Sequence, residues 1–421
     1  MVDQLSPENL SPEHLMALFR VSEMINSTLN FDEALNNVMD AVMQVTNAQR
    51  GFLMIHNEDE NTLEVLVAAG IDGDTIEEEG YSTTIVNEVV TTKRSLLTNN
   101  AQYDARFQSG QSIIMRGLRA ILCAPMLVHS RLIGVVYVDT AMKSSIFRPD
   151  DLTLLDAISG LAARAIENAR LYKMAVEKGR LENELHMARN IQQGLMPESM
   201  PISEVYDIAA HWESAREVAG DFYDAFILPD GRLATVVADV SDKGAAAAMF
   251  MAVSRTLVRA CAQQGMSPVD TIRKTNDLLL EDSERSGMFV TLYYSVYSDN
   301  GESAHINGGH NPPVIYRKDK NNVTLMSKGG RALGWFPDNP VKESIIHMQP
   351  GDILVTYTDG LTEAENAQGA YYGEERLALI LKNSADRSAT EIRDLILRDV
   401  LDFEAGHPPF DDLTMIVVKA R

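Results

Sequence analysis

The chain has 421 residues, 45% of them apolar, so it exceeds one ordinary domain and can bury a sizeable core. Its 37 Lys and Arg stand against 60 Asp and Glu, a formal charge of −23 that argues against nucleic-acid and anionic-membrane partners. The two cysteines, Cys123 and Cys261, lack Cys-x-x-Cys spacing, which excludes a disulfide framework and a zinc cluster and fits a reducing cytoplasm.

In chain order, residues 1–13 form a polar, acidic tail with the wrong chemistry for a signal peptide. No uninterrupted apolar run approaches the roughly 20 residues that span a bilayer. Residues 14–46 read as helical, with Leu15, Phe19, Val21, Ile25 and Leu29 before a break and Ala34, Val38 and Val42 after it. "RGFLMI" and "NTLEVLVAAG" read as strands around the acidic turn "HNEDEN", and "AILCAPMLV" and "LIGVVYVDT" as a second pair around "HSR". "RPDDLTLLDAISGLAARAIENARLY" opens with Pro149 and two aspartates, a good helix start. Residues 14–171 thus form one α+β unit. In "APMLVHSRLIGVVYVD" and "FRPDDLTLLDAISGLAARAIENA" it resembles a GAF domain, a sensory module. The resemblance implies a pocket for a small-molecule effector, or a dimerising role. Cys123 reads as an apolar core residue of a strand.

From residue 171, Leu171, Met174, Leu181, Leu185, Ala188 and Leu195 recur at steps of three and four, with Lys178 and Gln192 filling two seam positions. This linker, residues 172–200, is expected to be a parallel coiled coil that joins two copies. The alternative is a single amphipathic helix packed on a neighbouring domain. Pro197 and Pro201 stop it.

Residues 201–421 are dominated by strands: "YDIAAHWES", "GDFYDAFILPD", "GRLATVVADV", "FVTLYYSVYSD", "ESAHINGGH", "PPVIYR", "GDILVTYTDG" and "LTMIVVKAR". Helical stretches lie between and after them, beginning with "AAAAMFMAVSRTLVRACAQQ" and "SPVDTIRKTNDLLLED". The expected fold is α+β, a β-sandwich of two packed sheets flanked by helices. Four strand ends carry acids: Asp221, Asp239, Asp359, and the pair Asp411 and Asp412. One acid at a strand end is ordinarily a cap. Several converging on one edge would repel unless a divalent cation neutralised them. Oxygen ligands without a histidine or cysteine cluster point to Mg2+ or Mn2+, and a pair of such ions can activate water and brace a phosphoryl group.

The blocks "EVAGDFYDAF", "VVADVSDKGAAAAMFMA", "MFVTLYYSV", "INGGHNPP", "GGRALGWFP", "GDILVTYTDGLTEA" and "DDLTMIVVK" resemble, in order, the metal-dependent protein phosphatase (PPM) family in its bacterial sporulation-type, SpoIIE-like branch. The resemblance implies a serine/threonine phosphoprotein phosphatase that uses metal-activated water and is regulated by the N-terminal sensor. Its substrate would be an anti-sigma-factor antagonist or a similar signalling protein. Two Mn2+ or Mg2+ ions per domain are implied, held by Asp221, Asp239, the Val240 carbonyl, Asp359 and Asp411. Asp239 would bridge the ions, and Asp412 would orient a metal water or cap its strand. Asp221, Asp239, Asp359 and Asp411 form the implied catalytic set. Gly220 and Gly244 would let backbone approach the site. Asp224 reads as structural. His310 invites a general-acid role but reads rather as shaping the site or a turn, Glu363 and Asn276 would serve regulatory helices or ordinary hydrogen bonding, and Lys243 would either touch a phosphate or face solvent. Competing readings are a metal hydrolase of small phosphoesters and a non-enzymatic sensor or scaffold.

Overall fold

The computed structural model describes residues 12–25, 27–57, 60–70, 80–99, 120–140, 147–327 and 329–421. The tail through residue 11 and the middle of the expected first turn, residues 58–59, lie outside them. The chain divides into two compact units, Met1–Arg180 and Leu181–Arg421.

The first unit holds helices α1 (Pro12–Ile25) and α2 (Phe31–Thr46), strands β1 (Arg50–Asn57) and β2 (Thr62–Ala69), helix α3 (Thr83–Thr92), and strands β3 (Leu96–Thr98), β4 (Ala120–Val128) and β5 (Arg131–Thr140). The strands pair antiparallel in the order β2-β1-β5-β4-β3. Alternation along each strand gives the sheet two apolar faces. One packs Leu53, Leu122 and Val136 with the buried faces of α1, α2 and the first turns of helix α4 (Pro149–Leu195). The other packs Phe52, Cys123 and Tyr137 with Ile85, Val86 and Val89 of α3. Asn30 caps α2 by accepting from the amides of Asp32 and Glu33. Sequence reading overlooked α3, whose "TTIVNEVVTT" is rich in β-branched residues that favour strands. Its Ser82 cap and buried apolar face hold it helical. Cys123 is fully buried, and burial pushes its thiol pKa up. It is a core residue, as expected.

α4 is one unbroken helix of 47 residues, and the division between the units falls within it. The expected seam is only partly free along it. Leu171, Met174 and Leu181 are exposed, whereas Gln192 is buried.

The second unit contains β6 (Tyr206–Glu213), β7 (Phe222–Ile227), β8 (Leu233–Val240), α5 (Ala245–Ala262), α6 (Pro268–Ser286), β9 (Val290–Tyr297), β10 (Glu302–Gly308), β11 (Val314–Arg317), β12 (Asn322–Leu325), β13 (Glu343–His347), β14 (Ile353–Tyr357), the single turn α7 (Asp359–Thr362), α8 (Gly373–Asn383), α9 (Ala389–Glu404) and β15 (Leu413–Ala420). Two five-stranded sheets, ordered β13-β10-β9-β8-β7 and β12-β11-β14-β15-β6, form a sandwich. Along β15, Ile416 and Val418 enter the core shared with the first of these sheets, while Met415 and Val417 face the cluster of α8 and α9. Helices α5 and α6 cover the outer face of the first sheet. Helix α5 is apolar and long enough by composition to cross a membrane, but half of that stretch is buried in this unit. Strands β12 and β13 are sheet edges that sequence reading overlooked; "NVTL" and "ESIIH" are short and largely exposed.

Candidate active site

Antiparallel pairing explains how distant acids meet. In β7 and β8, Phe222 lies opposite Ala238, so Asp221 just before β7 reaches the lip where β8 finishes on Asp239 and Val240. In β14 and β15, Tyr357 lies opposite Met415, so Asp359 just after β14 reaches the lip where Asp411 and Asp412 precede β15. Each sheet thus contributes the end of one strand and the start of its neighbour: Asp239 is next to last in β8 and Asp359 follows β14, whereas Asp221, Asp411 and Asp412 precede their strands. Asp239, Val240, Asp411 and Asp412 line one small cavity, together with Gly220, Arg216, Asp242, Lys243, Gly244 and Phe410.

The electrostatics show that the acids act on one another. Burial first, then the charges of Asp239 and Asp412, push Asp221 well above the usual carboxylate range. Asp239 is pushed up to about 7, by burial and then by the charges of Asp359 and Asp411. Asp359 is raised by burial and by Asp411. Glu363, at the C-terminal end of α7, is raised too, by burial and then by Asp359 and Asp411, so it joins the acidic rim. Asp221 is 3% exposed, and its Oδ2 has no hydrogen-bond partner. A buried, unpaired carboxylate oxygen facing other acids is costly without a cation.

Asp412 has a different employment. Its Oδ1 accepts from Ala215 N at 2.9 Å and its Oδ2 from Gly220 N at 2.9 Å, which pins the loop that carries Asp221. Gly360 is required beside it, because an added Cβ would lie 2.1 Å from the Asp412 carbonyl oxygen. A Cβ on Gly220 would lie 3.2 Å from the Val240 carbonyl oxygen, a close approach as anticipated. Gly244 differs: a Cβ there meets nothing within 4 Å, and its φ of +84° is what calls for glycine. Lys243 Nζ donates to Asp411 Oδ2 at 2.8 Å and to the Phe410 carbonyl at 3.2 Å. It therefore supplies a counter-charge within the site. Arg216, which sequence reading overlooked, lines the same cavity. Its position in "AREVAGD", five residues before Asp221, was the available signal.

Other residues are placed elsewhere. Asp224 is 1% exposed and pairs with Arg255 and Arg259 of α5 at 3.1 and 2.9 Å, fastening that helix to β7. Asn276 accepts from Gly334 N and donates to Phe336 O, which anchors a loop. His310 is buried, its Nδ1 lies 2.8 Å from the Thr291 hydroxyl, and burial lowers its pKa to about 4. Among the described residues no three Asp, Glu, His or Cys side chains close into a ready-made ion cage. The orphaned Asp221 oxygen and the mutual pressure among the acids nonetheless fit a hard divalent cation.

Two family models match the chain: the GAF domain over residues 28–167 and Stage II sporulation protein E (SpoIIE) over residues 229–421. A GAF domain precedes a SpoIIE-type domain. Protein IcfG of Synechocystis is 36% identical over 277 residues, which cover 59% of this chain and 43% of that protein. The chain thus spans less than half the length of this relative. The phosphoserine phosphatase RsbU of Bacillus subtilis is 26% identical over 298 residues, covering 70% of this chain and 85% of RsbU. Among solved structures, the SiaA-PP2C domain of Pseudomonas aeruginosa superposes with a TM-score of 0.52 at 19% identity, covering 58% of this chain and 99% of that one. That likeness shows the fold of the second unit.

Proposed function

We propose that the SpoIIE-type domain is a metal-dependent serine/threonine phosphoprotein phosphatase, as the related RsbU is a phosphoserine phosphatase. The observation that carries this reading is the convergence of acids from both sheets on one lip, with an unpartnered Asp221 oxygen among them. Asp221, Asp239, the Val240 carbonyl, Asp359 and Asp411 would hold two Mn2+ or Mg2+ ions. Bound there, the ions would supply Lewis-acid polarisation of the phosphoryl group and an acidified water. Arg216 and Lys243 border the same cavity and give an incoming phosphate ester positive charge to meet. Asp412 acts through the backbone, holding the 215–220 loop so that Asp221 stays aimed at the lip. The substrate we propose is a phosphorylated signalling protein of the anti-sigma-factor-antagonist type, with the GAF domain regulating its dephosphorylation in response to an effector.

The test is phosphate release from a phosphoserine peptide and from p-nitrophenyl phosphate, with manganese, magnesium or chelator. Turnover should require the metal and fall at least about a hundredfold in Asp239→Asn. Turnover unaffected by chelator, or retained by that variant, would sink the assignment.

We also propose that the exposed Leu171, Met174 and Leu181 of α4 pair two copies of the chain. Large apolar side chains at seam spacing on an open helix face support this. Sedimentation equilibrium should show a dimer for the wild type and a monomer for Leu171→Lys/Leu181→Lys. A monomeric wild type would refute the pairing.

A further inference from the structure

Three large aromatic side chains stay exposed around the acidic lip: Phe410 is 67% exposed, Trp335 57% and Phe336 38%. Their connection to the site is short. Two residues after Asp239, Ser241 locks onto Phe289: its amide donates to the Phe289 carbonyl at 2.9 Å, and its hydroxyl accepts the Phe289 amide at 3.0 Å. The Phe289 ring packs on Trp335 with centroids 4.2 Å apart, and Phe336 stacks beside Trp335 at 5.9 Å. In the same turn, Lys243 lies over the Phe410 ring at 4.5 Å. The turn that follows Asp239 therefore meets aromatic groups through both Ser241 and Lys243.

The exposure of Trp335 does not come from a loosely held loop. Leu333 exchanges backbone hydrogen bonds with Val290 at 2.8 and 3.0 Å, Asn276 clamps Gly334 and Phe336, and Ser283 donates to the Gly334 carbonyl. These bonds fix the backbone and leave the indole facing outward. Large apolar groups held in water beside a polar cavity mark a surface that meets a partner. Cations stand among these aromatics: Arg331 lies over the Phe336 ring at 4.8 Å, and Lys243 and Arg216 border the cavity beside its acids. Cations beside aromatics fit an anionic segment that carries an apolar side chain.

We infer that the Trp335–Phe336 shelf and Phe410 dock the protein segment around the phosphoserine, selecting substrates with bulky apolar residues flanking the phosphorylated position. This rests on the phosphatase reading and deepens it: the lip holds the phosphate, and the rim reads the chain on either side. Trp335 is a specificity residue here and takes no part in the chemistry.

The test uses the full chain with manganese and three probes. Two are phosphoserine peptides identical except that the flanking positions carry Leu and Phe in one and Ser and Gly in the other; the third is p-nitrophenyl phosphate. The wild type should favour the apolar-flanked peptide about tenfold in kcat/KM. In Trp335→Ala the ratio of its kcat/KM to that for p-nitrophenyl phosphate should fall about tenfold, and Trp335→Phe should restore most of it. Equal use of both peptides by the wild type would overturn the inference. So would a parallel loss on all three probes, which would mean that Trp335 supports the site itself, or a shift in sedimentation showing that the shelf joins two copies. Wild-type failure on p-nitrophenyl phosphate as well as on both peptides would remove the phosphatase reading, and this one with it.

Discussion

Single residues in the second unit show how burial decides protonation. His305 is 1% exposed, with Nδ1 2.9 Å from the Ser295 hydroxyl and Nε2 2.8 Å from that of Ser303, and burial lowers its pKa to about 3. The unfolded chain takes up a proton near the ordinary value of about 6.5. The unfolded state therefore binds more protons below that pH, so stability is fully present above it and declines as pH falls toward 3. Between pH 7 and pH 5 this histidine alone should remove about 2 kcal/mol. Denaturant midpoints at the two pH values should converge in His305→Gln relative to the wild type; an unchanged gap would contradict the assignment. At the same scale, the acids of the site were legible in the sequence because each sits beside an apolar strand. Asp412's hold on Gly220 was not, since the two residues stand 192 positions apart, and it is the pairing of β15 with β6, Leu413 opposite Glu213, that brings Asp412 to the 215–220 loop.

Among the elements, α4 departs most from its sequence pattern. A spacing of three and four residues identifies an apolar stripe but not what the stripe meets. Gln192 occupies a seam position by that count, yet its Oε1 accepts from Ala219 N at 3.1 Å and its Nε2 donates to the Ala219 carbonyl at 2.9 Å. A longer contact reaches the Ala248 carbonyl in α5 at 3.5 Å. The end of α4 and Asp412 thus hold neighbouring residues of the loop that leads to Asp221. Gln192→Leu leaves both Ala219 groups unpaired in a buried place, which should cost about 1–3 kcal/mol. Equilibrium unfolding of the full chain measures it, and a change within about 0.5 kcal/mol, as at an ordinary surface site, would contradict the role. The strands of the sandwich core were legible because their apolar runs are long and bounded by turns. Helix α3 and the edge strands β12 and β13 were not, because local propensity or exposure outweighed the pattern.

For the molecule as a whole, the acidic lip links stability to metal. A site whose carboxylates raise one another's pKa gains from any cation that binds only the folded chain. Manganese at a hundred times its dissociation constant should add about 2.7 kcal/mol to the second unit. Thermal melting with and without the ion reads the shift, which should vanish in Asp239→Asn; a shift that survives in the variant would place the ion elsewhere. The two cysteines carry a separate consequence. Each unit contains one, Cys123 at 0% and Cys261 at 2% exposure, and neither is bonded to the other. A thiol shut inside a core reacts with a labelling reagent only when its surroundings open. The protein is therefore born with one chemical clock in each half. Pulse labelling followed by peptide mapping can time the opening of the first unit and of the second separately in a single sample, with no engineered probe.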